Sequence, residues 1–174
     1  MKTIRFDDVE ALRAEISDDF GPWSEPVEVS QAMIDSFAEL SGDRNWIHVD
    51  VERSRQESPF GQPIAHGMLT LSLFPDLPGG GDFEVTSYGN ATNYGLDRVR
   101  FISPVPAGAR LEASVRLADV QRRRGGTLLV REVRVRVAGE GRLAYVARPL
   151  VLFMPPVVGG GEDARATGTK GDRP

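Results

Sequence analysis

The chain contains no cysteine, and this absence removes several kinds of chemistry at once. Disulfide bonds, thiolate nucleophiles and cysteine-ligated metal sites all require a thiol. Histidine is also scarce, because the 174 residues include only two, His48 and His66. Since histidine is the side chain best suited to exchanging protons near neutral pH, chemistry of that kind is confined to these positions.

Long apolar runs and an excess of basic residues are missing as well. No stretch approaches the roughly 20 apolar residues of a membrane-spanning helix. The first residues turn acidic at Asp7 and lack the apolar segment of a secretory signal. The formal net charge of −4 argues against nucleic acid as a partner, because that binding depends on basic surface. We therefore expect a cytoplasmic protein that binds neither membrane nor nucleic acid.

Length and composition predict a single folded domain. The 174 residues are 40% apolar and 26% charged, close to the averages for soluble globular proteins. Apolar residues at helical spacing predict a helix over Asp7–Phe20, before the domain. Gly, Pro and charged residues dominate the last part of the chain and predict disorder. The chain thus divides into an N-terminal helical extension, a domain and a disordered tail, over residues 1–22, 23–154 and 155–174.

Both histidines lie in one stretch, Ser41–Phe74, around which the rest of the chain is organised. Asp43 stands five positions before His48, a spacing that would not place both on one helix face. The Gly, Asp and Asn residues of this part are turn formers, so we predict a loop. A loop can direct a carboxylate and an imidazole at one point, and such a pair can move a proton to or from water. On these residues alone, a turn aspartate beside a structural histidine is an equally good interpretation.

The second part of this stretch predicts a buried helix. Pro63 suits a first helical position, and the run Met68–Phe74 is apolar almost all round. Gly67 falls in the first turn, where a bare backbone lets a ligand approach N–H groups at the positive end of the helix. Such a position can stabilise an enolate oxygen. Without further information, tight packing is the simpler role for Gly67.

Four runs after a Pro- and Gly-rich loop at Pro75–Gly81 predict strands. They are Tyr94–Ile102, Arg110–Leu117, Thr127–Val137 and Leu143–Phe153. Apolar and polar residues alternate in the first three, which predicts an antiparallel sheet with one dry and one wet face. Gly125-Gly126 predicts a hairpin connection, and Pro149 predicts a sheet edge or a bulge. One buried helix and several one-faced strands together predict an α+β fold with a sheet curled over the helix.

Two sets of motifs resemble a known family. The pattern Ser-Gly-Asp-x-Asn-x-Ile-His-x-Asp at Ser41–Asp50, joined to Pro-Ile-Ala-His-Gly-Met at Pro63–Met68, resembles the MaoC-like, (R)-specific enoyl-CoA hydratase family. The segments Asn93–Phe101 and Pro104–Gly108 resemble its nodulation protein N-like branch. The similarity spans most of the chain, from about Val27 to Phe153.

This resemblance implies a hot-dog fold, in which a curved antiparallel sheet wraps around a central helix, and a homodimer that needs no cofactor. It implies that Asp43 and His48 form a dyad that activates water. Asn45 would brace the dyad, and the Gly67 N–H would hold the thioester oxygen. Three further residues become candidates for substrate binding: His66, Trp46 in place of the proline of many relatives, and Ser72, a turn before the position of a serine in some relatives.

The function implied is (R)-specific hydration of trans-2-enoyl-CoA to 3-hydroxyacyl-CoA, or the reverse dehydration, with the acyl group presented by coenzyme A or an acyl carrier protein. A hot-dog acyl-CoA thioesterase is an alternative, as is a non-catalytic acyl-thioester-binding subunit. The intact Asp43/His48 pair counts against the latter. A metal site of Asp43, His48, Asp50 and His66 is disfavoured, because the spacing matches no common site and hydration needs no metal.

Overall fold

A curled antiparallel sheet of five strands forms the centre of the protein. The computed structural model describes residues 2–74 and 83–157. The strands, in chain order, are β1 (Lys2–Arg5), β2 (Val27–Glu28), β3 (Phe83–Thr86), β4 (Asn90–Phe101), β5 (Arg110–Arg123), β6 (Gly126–Val137) and β7 (Leu143–Met154). The helices are α1 (Val9–Arg13), α2 (Gln31–Ser41), α3 (Trp46–Val49), α4 (Val51–Glu57) and α5 (Gly67–Ser72). The main sheet has the order β2-β5-β6-β7-β4, and β1 pairs in parallel with β3.

The alternation predicted for β5 is confirmed. Its inward residues are buried: Leu111, Ala113, Val115 and Leu117. Val133 and Val135 of β6 lie in the same core, while arginines on the opposite face of β6 stack on aromatic rings of the N-terminal segment. The predicted hairpin after β5 is shifted by one residue, since Gly125 takes the left-handed turn position and Gly126 already begins β6.

Helix α5 packs on the inner face of the sheet, with Leu69 and Leu73 in the main core. The Tyr145 hydroxyl of β7 donates a hydrogen bond to the Thr70 carbonyl at 3.2 Å and ties helix to sheet. The helix begins at Gly67 and not at Pro63, because the preceding residues pair as an extended segment, with an Ile64–Pro106 bridge. It is also not buried all round.

The N-terminal extension is less helical than predicted. Only α1 is helical in the predicted range Asp7–Phe20, and Ile16 is 40% exposed. The chain leaves the helix because Ser17 and Gly21 donate backbone hydrogen bonds to β5, at 3.2 and 3.0 Å. This segment therefore extends the sheet edge. Strand β1 and its parallel partner β3 were not predicted.

Strand β4 forms an outer strand of the main sheet, and β7 is its paired neighbour. Nearly all of its residues are exposed, so the predicted dry face of Tyr94–Ile102 is wrong for the single chain. Pro149 lies in β7, between β6 and β4, and not at an edge. The alternative of a bulge is confirmed, because the β4–β7 register shifts on both sides of the Leu96–Pro149 pair. The predicted loop Pro75–Gly81 and the tail residues 158–174 lie outside the described residues.

Candidate functional site

Helix α2 delivers the chain to Asp43. It begins at Ser30, whose Oγ accepts a hydrogen bond from the Met33 N–H at 3.3 Å, as expected of an N-cap. It ends at Gly42, which has a φ of 79° and donates its N–H to the Ala38 carbonyl. Only glycine takes this left-handed conformation readily, so Gly42 turns the chain sharply out of the helix. Asp43 follows at once and lies at the surface.

Asn45 connects the Asp43 loop to the helix that carries His48. Its backbone N–H donates to Asp43 Oδ1 at 3.3 Å, and its side-chain oxygen accepts from the Ile47 N–H at 3.4 Å as the N-cap of α3. The predicted loop therefore ends at Asn45, and His48 lies on a short helix. The Asn45 side chain contacts neither member of the predicted dyad directly; it orients the helix that holds one of them.

The His48 ring is buried, and hydrogen bonds hold both the ring and the backbone of this residue. Its Nδ1 lies 2.7 Å from the Ile64 carbonyl, and its own carbonyl accepts a hydrogen bond from Gln31 Nε2 at 2.8 Å. A carbonyl can only accept, so the hydrogen of a neutral ring is on Nδ1. Nε2 then carries the free lone pair. In this tautomer Nε2 is the nitrogen that can accept a proton, which is the requirement for a general base.

Asp43, His48 and His66 meet at one point. One polar atom from each side chain lies within 4.8 Å of the others, with both rings buried and the carboxylate exposed. A water molecule with hydrogen bonds of about 2.8 Å to two atoms can bridge a gap of up to about 5.6 Å. The separation is therefore short enough for a single water to bridge the Asp43 carboxylate and the His48 ring.

A metal ion fits this cluster poorly. The His48 and His66 rings are stacked, with centroids 3.8 Å apart and planes 29° apart. Ring lone pairs lie in the ring planes, so an ion about 2.0–2.1 Å from both nitrogens cannot lie in both planes. The Asp50 carboxylate takes no part, because it caps α4 by accepting from the Arg53 N–H at 3.0 Å.

A cavity of about 320 Å³ opens beside His48. Gly67 lines the same cavity, which brings the start of α5 and the histidine together. Phe101 and Ser103 also line this cavity, and the sequence did not predict a role for either of them. The motif containing Phe101 was noticed, but its pattern carried no signal that the ring would cover Gly67. The Ile64 carbonyl and the Gln31 amide were also missed, since their roles depend on contacts between distant segments.

Ser72 and Trp46 are not brought to this cavity. Ser72 Oγ donates to the Met68 carbonyl at 2.8 Å and lines a separate pocket of about 210 Å³ beside β4. The Trp46 ring lies against Arg53, whose guanidinium carbon is 4.3 Å from the ring centroid. This contact joins Trp46 of α3 to Arg53 of α4, away from the cavity.

Sequence comparison gives the family. A family model for the MaoC like domain matches residues 21–139. This chain belongs to the MaoC-like dehydratase family. Nodulation protein N of Rhizobium leguminosarum bv. viciae is 44% identical over 132 residues, which cover 75% of this chain and 81% of the relative. 3-Hydroxyacyl-thioester dehydratase Z of Mycobacterium tuberculosis is 38% identical over 150 residues, which cover 86% of this chain and 97% of the relative.

Solved structures of MaoC-like proteins share the fold. The (R)-hydratase from A. caviae involved in PHA biosynthesis matches with a TM-score of 0.59 and 26% identity, over 78% of this chain and 96% of that chain. The predicted family and the predicted hot-dog fold are both confirmed. The dehydratase and hydratase relatives support a lyase. Within the described part of this MaoC-like chain, no helix has the length and apolar character needed to cross a membrane.

Proposed function

We propose that this MaoC-like protein catalyses the (R)-specific hydration of a trans-2-enoyl thioester to the 3-hydroxyacyl thioester, or the reverse dehydration. The observation that carries the proposal is the approach of the Asp43 carboxylate and the His48 imidazole to within 4.8 Å, a distance that one water can bridge. The Gly67 backbone lies in the same cavity as His48. A relative that covers most of this chain is named for dehydration of 3-hydroxyacyl thioesters.

The dyad supplies the proton chemistry in this proposal. A water bound between Asp43 and His48 loses one proton to His48 Nε2 while its oxygen forms a bond to the β-carbon. The carbon–carbon π electrons move toward the thioester carbonyl, and a proton returns to the α-carbon by way of the dyad. The reaction is therefore the addition of H and OH across one double bond. It requires no cofactor.

The start of α5 stabilises the intermediate. Gly67 is the first residue of the helix, so its N–H has no partner within the helix. We assign this N–H to the thioester oxygen, where negative charge develops as the β-carbon is attacked. Removal of one such donor typically costs about 2.7–4 kcal/mol of barrier. The absence of a side chain on Gly67 lets the Phe101 ring pack against the helix start, and both residues line the same cavity.

Loss of enoyl absorbance from crotonyl-CoA, coupled to an enantiomer-specific 3-hydroxyacyl-CoA dehydrogenase, tests the proposal. We expect the R product, and we expect Asp43→Asn and His48→Gln each to reduce kcat by about 10²–10⁴-fold. Asp50→Asn is the matched control, because that carboxylate caps α4 away from the cavity. Wild-type turnover in both dyad variants would overturn the assignment.

The same samples distinguish the alternatives. Release of free coenzyme A thiol, detected with a thiol reagent, would indicate a thioesterase in which water attacks the carbonyl. Tight binding of the thioester without turnover would indicate a binding subunit. Parallel assays with coenzyme A and acyl-carrier-protein thioesters identify the natural carrier.

We also propose that the active form is a homodimer formed through β4. This outer strand exposes large apolar side chains, including Tyr94 at 60% and Phe101 at 48%. Exposed apolar patches of this kind mark interaction surfaces. Sedimentation analysis should give a dimer for the wild type and a monomer for Tyr94→Glu. A monomeric wild type would reject the assembly without affecting the chemistry proposed for the dyad.

A further inference from the structure

We propose that His66 is a positioning residue, which holds the Asp43 loop in place through its Nε2–H and does not bind substrate. This inference rests on the proposed function. The sequence left two roles open for His66, a substrate contact and a packed, hydrogen-bonded role at the helix start, and the inference gives the second role a specific target. His66 is only 4% exposed, and it is the N-cap residue of α5 although its side chain makes no capping hydrogen bond. Its ring instead points back toward a loop 23 residues earlier in the chain.

The contact that holds Asp43 is a hydrogen bond to its backbone. His66 Nε2 lies 2.9 Å from the Asp43 carbonyl oxygen. Because the carbonyl can only accept, the imidazole hydrogen must be on Nε2. Nδ1 is buried and has no hydrogen-bond partner within residues 2–74 and 83–157. The tautomer with hydrogen on Nε2 is thus the one that this environment satisfies.

The ring of His66 is packed on two sides. Its centroid lies 3.8 Å from that of His48 with planes 29° apart, and 5.1 Å from that of Phe37 with planes 53° apart. Rings from α2, from α3 and from the cap residue of α5 therefore pack together, with His66 between the other two. This packing leaves His66 little freedom to turn toward a substrate.

The segment Ile64–His66 contacts both members of the dyad. The Ile64 carbonyl lies 2.7 Å from His48 Nδ1, and His66 binds the Asp43 carbonyl. The segment is itself fixed, because the Ala65 N–H donates to the Val105 carbonyl at 2.7 Å. The segment Ile64–His66 thus sets the positions of both dyad residues relative to each other.

The position of Asp43 depends on the segment Ile64–His66. The other hydrogen bonds of Asp43 are long: Ser41 Oγ accepts from the Asp43 N–H at 3.3 Å, and Asp43 Oδ1 accepts from the Asn45 N–H at 3.3 Å. Asp43 is exposed, so little packing restrains its side chain. Loss of the His66 hydrogen bond would leave the carboxylate free to move out of the water-bridging position.

Two substitutions separate the hydrogen bond from the ring. His66→Gln keeps an N–H donor at a reach similar to Nε2, and His66→Phe keeps the ring but lacks a donor. We expect His66→Phe to lower kcat by about 10²-fold, the effect of a displacement of about 1 Å. KM should stay unchanged, and His66→Gln should recover most of the lost kcat. Wild-type kcat in His66→Phe, or a raised KM with kcat retained, would overturn the inference.

Hydrogen exchange provides a readout that does not depend on turnover. The backbone amides of Asp43–Asn45 should exchange faster in His66→Phe than in the wild type, and at the wild-type rate in His66→Gln. Circular dichroism checks that both variants are folded. If exchange responds as expected but Asp43→Asn keeps full activity, the proposed function fails and the positioning role stands. Unchanged exchange in the folded His66→Phe protein would reject the positioning role by itself.

Discussion

The Phe101 ring lies directly over Gly67, and both residues line the cavity beside His48. A Cβ atom on residue 67 would approach three ring carbons of Phe101 to 3.0 Å. Strand β4 and the start of α5 therefore meet at a position that accepts no side chain without movement. Phe101 is 48% exposed, so its ring has room to move away.

Gly67→Ala should reduce kcat/KM by about 10-fold, since the added Cβ forces the Phe101 ring or the helix start to move by a few tenths of an ångström and so shifts the N–H relative to the thioester. The N–H itself remains in alanine, so the loss would be steric. The double variant Gly67→Ala/Phe101→Leu should recover activity, because leucine removes the ring. Full activity of the single variant would contradict the close contact, and steady-state kinetics of the three proteins decides between these results.

Gly126→Ala should destabilise the fold although this residue lies outside the cavity beside His48. A Cβ atom there would lie 2.1 Å from the Phe153 carbonyl oxygen, which is backbone of the adjacent strand and cannot turn aside. We expect a loss of about 1–3 kcal/mol in the free energy of unfolding, the usual cost of overpacking. Gly141→Ala is the matched control, because its Cβ would meet open space. Urea unfolding of both variants tests this, and equal midpoints would disprove it.

Tyr145 makes stability sensitive to alkaline pH. Burial raises the pKa of its hydroxyl, so the unfolded chain releases this proton at a lower pH than the folded protein does. The contribution of the protonated Tyr145 hydroxyl to the free energy of unfolding is therefore complete below about pH 10 and falls as the pH rises above that value.

Tyr145→Phe should therefore show a shallower loss of stability above about pH 10 than the wild type. At neutral pH it should be less stable by about 1 kcal/mol, because the hydrogen bond to the Thr70 carbonyl is lost. Urea unfolding at a series of pH values measures both effects. Parallel pH profiles for the two proteins would show that Tyr145 titrates without the influence of burial.

Trp46→Leu should leave the preference for acyl chain length unchanged. The indole stacks on Arg53 outside the cavity, so its removal should cost only the cation–π contact, about 0.5–1 kcal/mol of unfolding free energy. Arg53→Ala should cost a similar amount. Because both substitutions remove the same contact, the double variant should be no less stable than either single variant. A shift in the ratio of kcat/KM between short and long enoyl-CoA substrates would place Trp46 in the acyl channel after all.

Local rules explain several boundaries of the fold. The N-cap at Ser30 and the left-handed turn at Gly42 follow from the side chain of one residue and the missing side chain of the other. The alternation along β5 predicted its buried face correctly, because strand side chains point to opposite sides. These features depend on interactions within a few residues, so a single sequence contains them.

Other predictions failed where a distant segment decided the outcome. The N-terminal helix is short because β5 competes for the backbone of residues 17–24. Helix α5 starts late because Ile64 and Ala65 bond to Ile47 and Val105. Nothing in the local pattern of β4 distinguished a buried face from a surface left open at the sheet edge.

The sequence by itself determined which residue types were available for chemistry: two histidines, two nearby aspartates and no thiol. Its motifs also identified the family and hence the hot-dog fold. Only the tertiary structure decided that His48 and His66 stack and that the segment Ile64–His66 holds both the His48 ring and the Asp43 carbonyl. These contacts join segments 16 and 23 residues apart, and such long-range geometry follows from packing of the whole core and not from local propensity.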